Sequence, residues 1–308
     1  MKLTGRRKSS NVEDRRGSGA SKGIVGGGIG ALIIGVLFML FSGGGSGSGG
    51  IDLGSILGGG GSGAGIDLGS ILGGGSSSTS TSNEPYVGSQ REEDLKEVTE
   101  QILASTEDVW TRRFKSMGKT YKAPTLVFYT GSTQTGCGLG QAAMGPFYCS
   151  ADENVYIDLS FFMEMQQTLG IEEATFTYAY VLAHEVGHHV QHLLGDLDRA
   201  HQQMARLGKA EGNRVSVQIE LQADFYAGVW GHDEQKLFNS LEKGDLEKAL
   251  DAALKIGDDY LQKKAQGRAD ERTFTHGTSV QRQRWFKRGF QTGDLSQGNT
   301  FSVPYNQL

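Results

Sequence analysis

The chain has 308 residues, 47 of them glycine and only two cysteine, with 30 Lys/Arg against 35 Asp/Glu and a formal net charge of −5 at pH 7. That length leaves room for about two domain-sized units with a buried core, which excludes a peptide or a disulfide-stapled miniprotein. Four prolines and no G-X-Y period exclude collagen, and the mildly acidic balance argues against a nucleic-acid binder, which would carry a basic face.

Glycine is unevenly spread, with 25 in residues 17–75 and 21 in residues 84–308. The chain therefore joins two materials. Residues 1–23 form a basic tail: Lys2, Arg6, Arg7, Lys8, Arg15, Arg16 and Lys22 stand against Glu13 and Asp14, net +5, leaving −10 for the rest. Residues 24–41, IVGGGIGALIIGVLFMLF, carry no charge over 18 positions. As a helix they would span about 27 Å, close to a ~30 Å hydrocarbon core. No A-x-A-like cleavage site follows, so the segment reads as an uncleaved transmembrane signal-anchor. The positive charges precede it, and none lies between Ser42 and Gln90. That asymmetry predicts a single-pass protein of the inner membrane, with a cytoplasmic N-terminus and residues 42–308 outside.

Gly26 and Gly30 form a GxxxG through which two spans could pack as a homo-oligomer. Residues 42–83 form a Gly/Ser-rich linker containing GIDLGSILGGG at 50–60 and again at 65–75. Two copies are too few for a solenoid, and a coil of this length is a tether with a reach of roughly 35 Å.

From Glu84 onward the composition is that of a globular domain, residues 84–308. Leu95, Val98, Ile102, Leu103, Val109, Trp110 and Phe114 recur at helical spacing, predicting a helix over 90–117. Strands are expected at 125–130 and 154–162, with an irregular Gly-rich loop at 131–150 between them. Helices follow at 172–194, stopped by Gly195, and at 213–230 and 233–264. Strands first and helices after predict an α+β fold, mainly helical with a small sheet. Residues 125–130 or 154–159 could be the sheet edge on which an extended peptide pairs. Cys137 and Cys149 flank a short loop, and in an exported domain they are expected to form a disulfide of about 3 kcal/mol.

Residues 184–188 read His184-Glu185-x-x-His188. On a helix, positions i and i+4 share a face, so both imidazoles reach one Zn²⁺ while Glu185 sits beside the metal as a base for water. His189 and His192 offer a competing His-rich face, since His188 and His192 are a second i,i+4 pair. A catalytic zinc also needs a third protein ligand. His201, His232, His276 and the carboxylates are candidates, and Glu220 in IELQADFYAG is the strongest, with Asp224 one turn on to hold a ligand imidazole. A metzincin site is excluded, because Gln191 and Leu194 stand where its pattern needs other residues.

HEVGHHVQ followed by ELQADFYAG resembles the neutral zinc metallopeptidase family of bacterial membranes, single-span proteins of the gluzincin-like HExxH…ExxAD group. EDRRG, CG…GPFYC, VYIDLSFF and FTHGTSVQRQRWF at 274–286 extend the resemblance over nearly the whole chain outside the linker. Phe225 and Ser150 depart from the Cys and Pro expected there. The resemblance implies a zincin-like fold, His184, His188 and Glu220 as zinc ligands, Glu185 as general base and acid, and Asp224 as the Asp of ExxAD. His276 is a further candidate, donating a hydrogen bond to the oxyanion or substrate, with a structural role as its alternative. The expected function is a membrane-anchored zinc endopeptidase acting on peptide or protein substrates. A non-catalytic zinc scaffold of the envelope and a hydrolase of cell-wall amides are the competing readings.

Overall fold

The computed structural model describes residues 1–17, 86 and 88–308. The predicted transmembrane segment 24–41, its GxxxG and the linker 42–83 lie outside the described residues. Among the described residues, no helix is long and apolar enough to cross a membrane.

The domain opens with strand β1 (Val12–Asp14) and a long helix α1 (Gln90–Ser116). A capping box starts α1: the Ser89 hydroxyl accepts the Glu92 N–H, and the Glu92 carboxylate accepts the Ser89 N–H at 3.0 Å. Its apolar stripe, with Leu95, Ile102, Leu103, Val109, Trp110 and Phe114, is buried as the spacing predicted. Strands β2 (Thr125–Phe128), β3 (Ser132–Thr135), β4 (Gly138–Gln141), β5 (Phe147–Cys149) and β6 (Asn154–Ile157) follow. One sheet has the order β1-β2-β6-β5, in which β1, β2 and β6 run parallel and β5 antiparallel, while β3 and β4 form a separate hairpin. Leu126, Val127 and Phe128 are all buried, the continuous apolar run that a strand covered on both faces needs.

Helices α2 (Ser160–Leu169), α3 (Thr175–Leu194), α4 (Asp196–Met204), α5 (Lys209–Phe238), α6 (Asp245–Lys255), α7 (Asp258–Gln266) and α8 (Ser279–Thr292) complete the fold. α5 is its axis, packed against α3 on one side and α8 on the other. Glycine makes the second contact possible. A Cβ on Gly228 would lie 2.1 Å from the Phe286 carbonyl oxygen, and one on Gly289 2.1 Å from that of Phe225.

The α+β class stands, with several corrections in detail. The strand expected over 154–162 ends at Ile157, because the Asp158 carboxylate accepts the N–H groups of Ser160 (3.0 Å) and Gly131 (2.8 Å) and turns the chain into α2. The stretch 131–150 holds three strands rather than an irregular loop. The helix expected over 233–264 is broken: α5 runs on to Phe238, Asn239 in the left-handed region (φ 49°) ends it, and glycines precede α6 and α7. Neither β2 nor β6 is a sheet edge, since each has a strand on both sides; among the described residues the edges are β1 and β5.

The division at residue 23 also changes. Residues 1–17 are not a separate basic tail: β1 pairs with β2 and belongs to the same compact unit as residues 86–308.

The candidate metal centre

His184 and His188 lie on α3, one turn apart, with ring centroids 4.8 Å from each other. Gly187 between them lets the backbone of α5 approach, for a Cβ there would sit 2.9 Å from the Ala223 carbonyl oxygen. That close crossing brings Glu220 across from α5. His184 Nε2 is 3.1 Å from Glu220 Oε2, and His188 Nε2 is 3.5 Å from Oε1. One donor atom from each of the three lies within 4.8 Å of the others, all buried. Two imidazole nitrogens and a carboxylate form the three-ligand set that a catalytic zinc uses.

The far side of each imidazole is held. His184 Nδ1 donates to Asp224 Oδ1 at 2.9 Å, and His188 Nδ1 donates to the Gln191 amide oxygen at 2.9 Å. Both Nε2 atoms are thereby directed at the shared point. Gln191 is fixed in turn by its own amide, which donates to the Ile219 carbonyl (2.7 Å) and Gln222 (2.9 Å). Asp224, fully buried, accepts from Tyr180 at 2.7 Å and is forked by Arg282 at 2.8 and 3.0 Å. Burial disfavours a charged His184, but Asp224 and Glu220 outweigh it and raise its pKa to about 10. Burial likewise opposes ionisation of Glu220, yet His188, His276 and His184 hold its carboxyl well below the usual range. The pocket favours positive charge at its centre, as a metal cation supplies.

Glu185 is buried next to these ligands, and burial raises its carboxyl above the usual range, with His184 and His188 opposing. His276, also buried, approaches from the turn before α8. Its Nδ1 faces Asp258 Oδ1 at 3.2 Å and the Thr275 hydroxyl at 3.0 Å. Asp258 Oδ2 accepts the N–H groups of Thr275 (2.8 Å), His276 (2.7 Å) and Gly277 (3.0 Å), which fixes the turn.

The remaining histidines lie outside the ligand group. His189 faces the other way from its neighbour: Nε2 donates to the Lys122 carbonyl at 2.7 Å, and Nδ1 accepts from Tyr148 at 3.0 Å. His192 pairs with Asp198, and His232 Nδ1 donates to the Phe290 carbonyl. His201, on α4, is no ligand either. Cys137 and Cys149 form the expected disulfide, which ties the β3–β4 hairpin to β5.

Burial depresses the His189 pKa from 6.5 to about 4. The unfolded chain therefore binds the proton first as pH falls. The stability due to a neutral His189 is complete above pH 6.5 and is lost between 6.5 and 4, a total of about 3 kcal/mol. Denaturant unfolding at pH 7.5 and pH 4.5 should show this acid loss, reduced in His189→Gln.

The roles of Gln191, Arg282, Tyr180 and Asp258 escaped the sequence analysis. Arg282 lay within the quoted FTHGTSVQRQRWF, but only the fold reveals what it faces.

A family described as “Putative neutral zinc metallopeptidase” matches residues 1–301. The chain belongs to this family. Membership makes Zn²⁺ the metal that His184, His188 and Glu220 are suited to hold. Among family relatives, “Uncharacterized protein YpfJ” of Escherichia coli strain K12 is 49% identical over 307 residues, covering 98% of this chain and 99% of that protein. “Uncharacterized protein Mb2605” of Mycobacterium bovis is 40% identical over 208 residues, covering 65% of this chain and 68% of its own length. “Uncharacterized protein Rv2575” of Mycobacterium tuberculosis H37Rv shows the same identity and coverage. No solved structure matches the chain.

Proposed function

We propose that the protein is a zinc-dependent endopeptidase that works outside the cytoplasm, held at the membrane through residues 24–41. The observation that carries the enzymatic reading is the convergence of His184, His188 and Glu220 on one buried point with Glu185 beside it. The disulfide supports an oxidising compartment.

Zinc held by His184, His188 and Glu220 would polarise the scissile carbonyl and lower the pKa of water enough for it to be deprotonated at neutral pH. Glu185, whose carboxyl is raised by burial against the opposing His184 and His188, takes the water's proton and returns it to the leaving amine. Asp224 and Gln191 keep both imidazoles in the tautomer that presents Nε2. His276 gains positive charge from its surroundings: burial lowers its pKa, but Glu220 and Asp258 raise it further. Oriented by Asp258, it donates to the carbonyl oxygen as negative charge develops there. His276→Ala is expected to lower kcat by about 10²-fold at unchanged zinc content, measured on one cleaved peptide.

The full chain, loaded with one equivalent of zinc, should cleave a mixture of unstructured peptides. Activity should vanish with a chelator and return with zinc. A fully loaded protein that leaves every peptide intact would contradict the peptidase reading, and release of amines from cell-wall fragments alone would favour the amide-hydrolase alternative.

A further inference from the structure

The seven Lys/Arg residues before the apolar segment suggest, by sequence alone, a tail kept on the opposite side of a membrane from the active site. In the fold, most of these charges have partners in the domain. Arg6 reaches the fully buried Glu234 at 2.8 Å, a carboxylate that also accepts from Ser240 at 2.7 Å and from Ser105. Arg7 pairs with Glu107 (2.8 Å) and Asp108 (2.7 Å) on α1. Arg16, its side chain only 2% exposed, pairs with Glu93 at 2.9 Å.

Backbone pairing is as close. Leu126 N–H donates to the Asn11 carbonyl at 2.9 Å, and Arg15 N–H to that of Phe128 at 2.8 Å, extending the β1–β2 ladder. The Asn11 amide donates to Glu107 at 2.7 Å and the Ser9 hydroxyl at 2.6 Å. Arg16 also lies over the Tyr86 ring, and a Cβ on Gly17 would be 2.7 Å from Tyr86 Cβ. Residues 17 and 86 therefore adjoin, with 18–85 between them in sequence.

A single crossing by residues 24–41 would put about 30 Å of hydrocarbon between these partners, which no hydrogen bond of 2.8 Å bridges. We infer that residues 1–17 complete the catalytic domain in the same compartment as the active site. The basic residues of the tail serve the fold as ion-pair partners rather than as a signal that keeps the N-terminus behind. This inference is independent of the zinc chemistry.

Two single-cysteine variants of the full chain test it, Lys2→Cys and Lys263→Cys, at side chains that are 72% and 64% exposed. The native cysteines are bonded to each other. Intact bacteria are treated with a membrane-impermeant maleimide, and labelling is compared with that after lysis. Both cysteines should behave alike, either both reactive in intact cells or both reactive only after lysis. One reactive and the other shielded would overturn the inference. Arg6→Met in the purified full chain should lower Tm by about 10 °C, because Glu234 loses its cation in the interior. An unchanged Tm would show that the tail is not docked.

Discussion

Glu185→Gln should lower peptide turnover by about 10²- to 10⁴-fold while leaving the zinc content at that of the wild type. The substitution keeps size and hydrogen-bonding capacity but removes the basic oxygen. Glu185 is not part of the convergent set His184, His188 and Glu220, so metal affinity should hardly change. The raised carboxyl of Glu185 adds a second readout. The acidic limb of kcat/KM should fall above the ordinary carboxylate range of about 4.3, and this limb should be absent from the residual activity of Glu185→Gln. Zinc loss on substitution would mean instead that Glu185 is a ligand or braces one.

Arg282→Met should have the largest effect on stability. Asp224 is fully buried and faces three partners: Tyr180, His184 and the Arg282 fork. Burial works against its ionisation, but Arg282 and His184 bring its pKa down to about 2. Removing the guanidinium leaves a buried carboxylate without its main counter-charge, at a cost of about 3–5 kcal/mol. The same carboxylate sets the tautomer of His184, so zinc affinity should fall about 10- to 100-fold. The double variant Arg282→Met/Asp224→Asn should regain part of the stability and none of the zinc affinity, which separates the two roles. Denaturant unfolding without metal and a competitive zinc titration measure them.

The parts of this site readable in the sequence are those fixed by local periodicity. His184, Glu185 and His188 follow from one helical turn, and Glu220 with Asp224 from one turn of a second helix. What brought the two turns together was not visible: Gly187 looks like a filler position until the Ala223 carbonyl is found against it. Gln191, noted only because it breaks another family's pattern, holds His188. Arg282 is far from Asp224 along the chain, and sequence spacing carries no sign of their contact.

The long amphipathic helix α1 was legible for the same reason as the motif, a buried stripe at 3.6-residue spacing. Strands β3 and β4 were missed because their Gly- and Thr-rich runs, in part exposed, lack the apolar alternation that marks a strand, and β5, Phe147–Cys149, because three residues are too few to show a period. β1 was missed for a different reason. Val12–Asp14 is three residues long and mostly charged, and its pairing with β2 requires two segments separated by more than a hundred residues to meet. Charge counting then assigned the flanking arginines to membrane topology, whereas they pair with acids of the domain, the buried Glu234 and Glu107 and the half-buried Glu93.

The central claim is that His184, His188 and Glu220 together hold a single zinc ion. X-ray absorption at the zinc edge, on the full chain at one equivalent of metal, tests it most directly. The account predicts two imidazole nitrogens at about 2.0–2.1 Å and oxygen at about 2.0–2.2 Å, with the metal lost from Glu220→Ala. A third imidazole in place of the carboxylate, or a spectrum and stoichiometry unchanged in Glu220→Ala, would contradict it.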